Sequence, residues 1–242
     1  MRYKAICFDI DGTLYPASVM KRRLTAMWFR HPVFLLRYSR ERREFRRCQA
    51  DFRQEIPFRW REAMIIHNAS GKEPETDFSE AGYKSTYERL RKYVYGPMQG
   101  LYEKTDPFDG VRSTFRSIRN NGLKIGVFSD FPLFHKLESM GLDGYVDFCA
   151  SSDDVGFLKP DAHCFEYLLY NLKMEQSDVL YVGDSYSKDI VGAHNAGLDA
   201  VLVNVKPSEL RNAEKTFPLA KAVFSNWKEF DAWLASGMED RQ

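Results

Sequence analysis

With 242 residues, 44% of them hydrophobic, the chain is long enough for one large domain or a domain carrying an insertion, and apolar enough to bury a core. A net charge of +1 argues against a molecule whose whole surface serves nucleic acid or another polyanion. The average hides two parts: residues 16–98 hold 18 Lys/Arg against 10 Asp/Glu, and the rest of the chain holds 17 against 24.

The first element is the apolar run Ala5-Ile6-Cys7-Phe8, which reads as a buried strand and leads directly into Asp9-Ile10-Asp11-Gly12-Thr13. Two carboxylates two positions apart at a strand end point into one small volume. Buried together they raise each other's pKa unless a cation, a proton or amide donors offset the charge, so a metal-assisted site is the natural reading. From about residue 16 to 105 the apolar residues recur at helical spacing among many arginines, which predicts a helical insertion; Gly96-Pro97 and Asp106-Pro107 are the places where the chain turns back. Inside it, Met27–Tyr38 has the aromatic and basic mix of an interfacial membrane helix, but Pro32 interrupts it and packing within the insertion is the better reading.

After residue 105 helix-like and strand-like segments alternate, the pattern of a parallel sheet covered by helices on both faces. Residues 109–121 read as a helix ended by Gly122, Leu123–Ser129 as a strand, and Phe134–Met140 as a helix followed by Gly141. Phe148–Ala150 reads as a short strand, Asp161–Leu172 as a helix and Val179–Val182 as a buried strand. Ser187–Ala196 reads as a helix closed by Gly197, Ala200–Val203 as a strand, and Ala222–Phe224 as a sixth. The expected fold is α/β, a doubly wound, mainly parallel sheet built from residues 1–15 and 106–242, with residues 16–105 as the α-helical insertion. The four cysteines, Cys7, Cys48, Cys149 and Cys164, show no CxxC spacing, the start of the chain has no secretory h-region, and no run reaches the length of a membrane span. A cytoplasmic protein with reduced thiols is expected.

In an open parallel sheet, ligands bind outside the carboxyl ends of the strands. Those ends carry Asp9 and Asp11, then Ser129, then Gly183-Asp184 with Asp189 five residues on, while Lys159-Pro160 precedes a long helix. Each has a plainer local reading: Ser129-Asp130 as a cap, Lys159-Pro160 as a surface turn, Asp184-Ser185 as an N-cap, Asp189 as a first-turn acid. Their coincidence at one sheet edge outweighs these. The set resembles the haloacid dehalogenase (HAD) superfamily, most closely its phosphatases with a helical cap inserted after the first strand; Asp9-Ile10-Asp11-Gly12-Thr13, Ser129, Lys159 and Gly183-Asp184 through Asp189 stand as its four motifs. The resemblance implies a Rossmannoid catalytic core over 1–15 and 106–242 and a cap over 16–105.

A phosphomonoester is a dianion with a poor leaving group, so a catalyst must neutralise charge, align a nucleophile and protonate the departing oxygen. Asp9 suits the nucleophile that forms an aspartyl-phosphate, a role the resemblance also implies, and Asp11 is placed to act as general acid and then general base. Carboxylates and phosphate sharing a pocket call for Mg²⁺. The resemblance implies that the metal is held by the Asp9 side chain, the Asp11 backbone carbonyl and Asp184, with Asp189 a ligand through water or a support. Lys159 supplies a cation for phosphoryl oxygens, Ser129 a hydroxyl donor, Gly12 a tight turn beside the phosphate, and Thr13 a hydrogen bond to the loop that presents Asp9. Asp130 departs from the Asn that many family members place there; a carboxylate facing the pocket would repel substrate, so it either turns away or pairs with a cation.

Substrate choice is expected to lie in the insertion, where Arg59-Trp60-Arg61 is a candidate substrate cluster through Arg59 and Arg61. Its other arginines, among them Arg22, Arg23, Arg40, Arg42, Arg43, Arg46 and Arg47, read rather as a solvated face or a charge-complementary seam against the core. The expected ligand is a small phosphorylated metabolite, whether sugar phosphate, phosphoglycolate or nucleoside monophosphate, bound by a monomer or homodimer. A haloacid dehalogenase is disfavoured because halide needs no proton donor such as Asp11; a phosphomutase and a non-catalytic binding module with this fold compete with the phosphatase reading. His31, His67, His135, His163 and His194 show no metal-ligand spacing, and no GxxxxGK loop is present.

Overall fold

Six parallel strands run side by side in the order β3-β2-β1-β4-β5-β6 in the computed structural model, which describes residues 2–19, 25, 29, 32–48, 88, 92, 95, 96, 99, 105–133 and 135–238. The strands are β1 (Ala5–Phe8), β2 (Lys124–Ser129), β3 (Phe148–Ser151), β4 (Val179–Gly183), β5 (Asp199–Leu202) and β6 (Ala222–Val223). β1 lies at the centre, with Phe8 opposite Val127 of β2 on one side and Val182 of β4 on the other. The chain first builds outward from β1 through β2 to β3, then crosses to β4 and builds the other way. The strand order therefore reverses between β1 and β4, and their carboxyl ends flank the crevice where such sheets bind ligands.

The apolar character of β1 follows from burial on both faces, since all four of its residues are fully buried. Alternation sends Ile6 and Phe8 to one face and Ala5 and Cys7 to the other. On the first face Phe8 stacks on Phe115 at 4.8 Å and lies 5.8 Å from Trp227. On the second, Ala5 and Cys7 join Phe165, Leu168 and Leu172.

Helix α1 (Pro32–Cys48) includes the proline that interrupts the Met27–Tyr38 stretch. Helix α2 (Val111–Asn120) puts Val111, Thr114, Phe115 and Ile118 on its buried face, and α3 (Lys136–Ser139) is a single turn, shorter than the expected 134–140. Helix α4 (Ser152–Val155) follows β3; α5 (Ala162–Leu172) is capped by Asp161, whose carboxylate accepts from the His163 N–H at 3.1 Å. The expected helix over 187–196 is corrected. It opens with a π-helical turn, Tyr186–Ile190, before α6 (Val191–Asn195). The wide turn is marked by the Ile190 N–H, which reaches the Ser185 carbonyl five residues back at 3.4 Å beside the Asp189 N–H at 2.8 Å, and the Ser185 N–H donates to the Asp189 carboxylate at 3.0 Å. Such turns often mark functional positions, and this one turns Asp189 fully inward. Among the described residues no helix is long and apolar enough to cross a membrane.

Candidate active site

The loop after β1 is held from behind before any catalytic group is considered. Asn204 Nδ2 donates to the carbonyls of Gly12 and Thr13 at 2.9 and 3.0 Å, and Trp227 Nε1 donates to the Thr13 carbonyl at 3.1 Å. Gly12 has φ +101°, and a Cβ there would lie 2.2 Å from Asp184 Oδ2, so only glycine lets this backbone pass beside that carboxylate. The loop fixes Asp9, whose side chain is nearly sealed from solvent. Thr13 Oγ1 donates to Asp9 Oδ2 at 2.8 Å, and Lys159 Nζ to Asp9 Oδ1 at 2.6 Å.

Lys159 is fully buried and also bonds Asp189 Oδ1 at 2.6 Å and the Tyr181 hydroxyl at 3.3 Å. Asp9, Asp184 and Asp189 each bring an oxygen within 4.8 Å of the others. One ammonium thus serves a cluster of three carboxylates. Burial, with the charges of Asp189 and Asp184 beyond what Lys159 and Lys188 offset, pushes the Asp9 carboxyl up to about 7. Burial and Asp189 raise Asp184 as well, while Asp189 and Asp9 hold the Lys159 ammonium protonated well above its ordinary range despite its desolvation. A cluster with more negative charge than its lysine neutralises, made only of hard oxygen donors, fits a divalent cation such as Mg²⁺.

Asp11 belongs to a second network. Lys136 Nζ donates to its two oxygens at 3.0 and 2.8 Å, Ser129 Oγ donates to Oδ2 at 2.9 Å, and the Tyr15 hydroxyl donates to Oδ1. Burial alone would lift this carboxyl, but Lys136 and the three sets of donors outweigh it and bring it below the usual carboxylate range. Neither Lys136 nor Tyr15 stands out in the sequence as a site residue. Lys136 is four residues before buried Met140 on a turn whose phase no apolar repeat reveals, and it looks like a surface lysine; it is fully buried.

Asp130 resolves the question its identity poses. Arg46 Nη2 of α1 donates to Asp130 Oδ2 at 2.7 Å, and the Lys159 N–H donates to Oδ1 at 3.1 Å. Although buried, the carboxyl lies far below its ordinary range, because Lys159, Arg46, Lys188 and Arg42 surround it. The expected part of Asp130 in substrate binding is therefore revised: both oxygens are engaged inside the protein. Arg42 donates to the Asp130 carbonyl and stacks over Phe131 at 4.2 Å, so two of the insertion's arginines face the core, while Arg40, Arg43 and Arg47 are exposed. Arg59, Arg61, Arg22, Arg23, His31 and His67 lie outside the described residues. His135 and His163 pair with Glu138 and Asp161 near the surface.

Comparison with known proteins bears on the family and the fold. The chain is 36% identical over 112 residues to a glyceraldehyde 3-phosphate phosphatase of Methanothermobacter thermautotrophicus, 45% of this chain and 48% of that one, so the match spans about half the length of that relative. It is 26% identical over 229 residues, 88% of each chain, to a ribulose-1,5-bisphosphate 5-phosphatase of Halopiger xanaduensis. Among solved structures, an L-2-haloacid dehalogenase of Xanthobacter autotrophicus shares the fold at a TM-score of 0.63 and 17% identity over 98% of this chain and all of that one. A phosphatase of Thermococcus onnurineus does so at 0.57 and 24%, with the same coverage. The model of the haloacid dehalogenase-like hydrolase family matches residues 3–197, and with the motif residues gathered at one sheet edge the chain belongs to that family.

Proposed function

We propose that the chain is a Mg²⁺-dependent phosphatase that hydrolyses a small phosphomonoester through an aspartyl-phosphate on Asp9. The observation that carries this reading is the convergence of Asp9, Asp184 and Asp189 within 4.8 Å around one buried ammonium, a cluster suited to a cation and an anionic substrate together. Relatives named as phosphatases of glyceraldehyde 3-phosphate and ribulose-1,5-bisphosphate, and one named as a pyrimidine 5'-nucleotidase, support a small phosphorylated metabolite as substrate.

A divalent cation would be held by the carboxylates of Asp9 and Asp184 and the Asp11 carbonyl, with Asp189 in support, and would supply neutralisation of phosphoryl charge. Asp9 Oδ attacks phosphorus as the bond to the leaving oxygen breaks, and that oxygen takes its proton from Asp11. Water then attacks phosphorus, returns a proton to Asp11 and releases Asp9 with inorganic phosphate. Lys159 and Ser129 stabilise the equatorial oxygens. Lys136 is assigned here too, as the donor that leaves Asp11 for the phosphoryl group when substrate arrives. Residues 16–105 form the cap that closes over the site and reads the leaving group. The separate carboxylate Asp11 distinguishes this chemistry from displacement of halide, which needs no acid.

Turnover of p-nitrophenyl phosphate with MgCl₂ and with EDTA tests the reading. Metal-dependent release of p-nitrophenol is expected, with Asp9→Asn at least about 1,000-fold slower, since the covalent route is then closed. A folded wild type with no Mg²⁺-dependent turnover across a panel of metabolite phosphates sinks the function. Unchanged turnover in Asp9→Asn sinks the mechanism.

A further inference from the structure

We propose that Asp130 and Arg46 are positioning residues for Lys159, joined with its peptide backbone in a closed ring of hydrogen bonds that makes the lysine's placement depend on the docking of α1. The inference rests on the reading of Lys159 as the cation of the phosphoryl site. The ring has three links. The Lys159 N–H donates to Asp130 Oδ1 at 3.1 Å, Asp130 Oδ2 accepts from Arg46 Nη2 at 2.7 Å, and Arg46 Nε donates to the Lys159 carbonyl at 3.1 Å. Both main-chain polar groups of one residue are thereby fixed by a single carboxylate–guanidinium pair. The three members come from separate places: the end of β2, helix α1 within the insertion, and the loop before α5.

The side chain they steady has little freedom of its own. Lys159 is fully buried, and its Nζ sits 2.6 Å from both Asp9 and Asp189, so a shift of its backbone is transmitted to the ammonium that hydrogen-bonds the nucleophile. The carboxylate–guanidinium pair is itself largely shielded, with side-chain exposures of 6% for Asp130 and 22% for Arg46. Planar geometry matters, because Arg46 uses two different nitrogens on two different acceptors, which a lysine cannot reproduce. The ring also explains why Asp occupies this position. Asn could accept from the Lys159 N–H through Oδ1, but its amide NH₂ would then face the guanidinium with donor against donor.

The test uses the full chain as Arg46→Ala, Arg46→Lys, Asp130→Ala and the double variant, with Arg47→Ala, an exposed arginine on the same helix, as control. In p-nitrophenyl phosphate turnover with Mg²⁺, each alanine variant is expected to lose about 10- to 100-fold in kcat while KM stays within about threefold. The double variant is expected to fall no more than about threefold below the weaker single, because either change opens the same ring. Arg46→Lys is expected to recover part of the loss, and Arg47→Ala to match wild type. Hydrogen exchange at the Lys159 amide reads the ring without turnover: exchange is expected to quicken by about tenfold or more in Arg46→Ala and Asp130→Ala at unchanged global stability. Wild-type kcat in Arg46→Ala, a raised KM with kcat intact, or losses that multiply in the double variant would each overturn the proposal. Should wild type prove inactive on every phosphomonoester, the function fails on its own, and the exchange experiment still decides the ring, with unaltered protection in Arg46→Ala refuting it.

Discussion

Lys136 meets both oxygens of Asp11 from a position closed to solvent, so replacing it with methionine, which keeps most of the volume, removes the charge and little else. Asp11 then keeps Ser129 and Tyr15 as neutral donors but loses the cation that offsets its burial. Its carboxyl must rise. In wild type the native carboxyl lies below its ordinary 3.8, so this group stabilises the fold above about pH 4 and ceases to as pH falls through the native value. Lys136→Met is expected to lose about 2 kcal/mol of stability at neutral pH and less in acid, where Asp11 is protonated. The alkaline limb of kcat/KM, where the acid Asp11 ionises, should move to higher pH, while the absence of Lys136 from the phosphoryl site lowers kcat/KM by about 10- to 100-fold at neutral pH. Denaturant titrations and a pH–rate profile check both; a profile identical to wild type would remove Lys136 from the Asp11 network.

The loop after β1 shows what an element can disclose in advance and what it cannot. Ala5–Phe8 is legible because a strand buried on both faces must be apolar throughout, and the polar Asp9-Ile10-Asp11-Gly12-Thr13 then has to lie at its carboxyl end. Ser129, Asp184 and Asp189 follow by the same reasoning from β2, β4 and the segment after β4. Lys136 and Tyr15 are illegible for a common reason: each reaches its partner through tertiary packing of a short turn or loop, and nothing periodic around it announces which way it points, while Arg46 is legible only as one among the arginines of a solvated face or a seam against the core. Gly12 is the residue where local and tertiary demands meet. At φ +101° alanine is strained, and its Cβ would also fall 2.2 Å from Asp184 Oδ2. Gly12→Ala is expected to destabilise the chain by about 1–3 kcal/mol and to weaken Mg²⁺ binding by about tenfold or more as Asp184 is displaced. Calorimetric titration with MgCl₂ reads the second effect. Unchanged affinity would show that Asp184 is not needed where the structure puts it.

For the whole molecule, two groups of buried carboxylates pull stability in opposite directions with pH. Asp130 and Asp11 have native pKa values below the ordinary 3.8, so their contribution is present above about pH 4 and is lost on further acidification. Asp9 behaves in the reverse sense. With its native carboxyl at about 7, the folded chain holds a proton between 3.8 and about 7 that the unfolded chain has released, and metal-free stability falls as pH rises through that window. Asp184, also raised, adds to the same slope. A cation that binds the ionised cluster reverses this loss, and it must displace protons wherever they are still bound. Saturating MgCl₂, at about a hundredfold excess over its dissociation constant, is expected to stabilise the protein by about 2–3 kcal/mol near pH 7.5 and by distinctly less near pH 5. Thermal melts with MgCl₂ and with EDTA at the two pH values measure the difference, and Asp9→Asn should flatten the metal-free decline between them. An equal Mg²⁺ shift at both pH values would mean that the cation binds away from Asp9, because only a site that includes a carboxyl still protonated in mild acid forces metal and proton to compete.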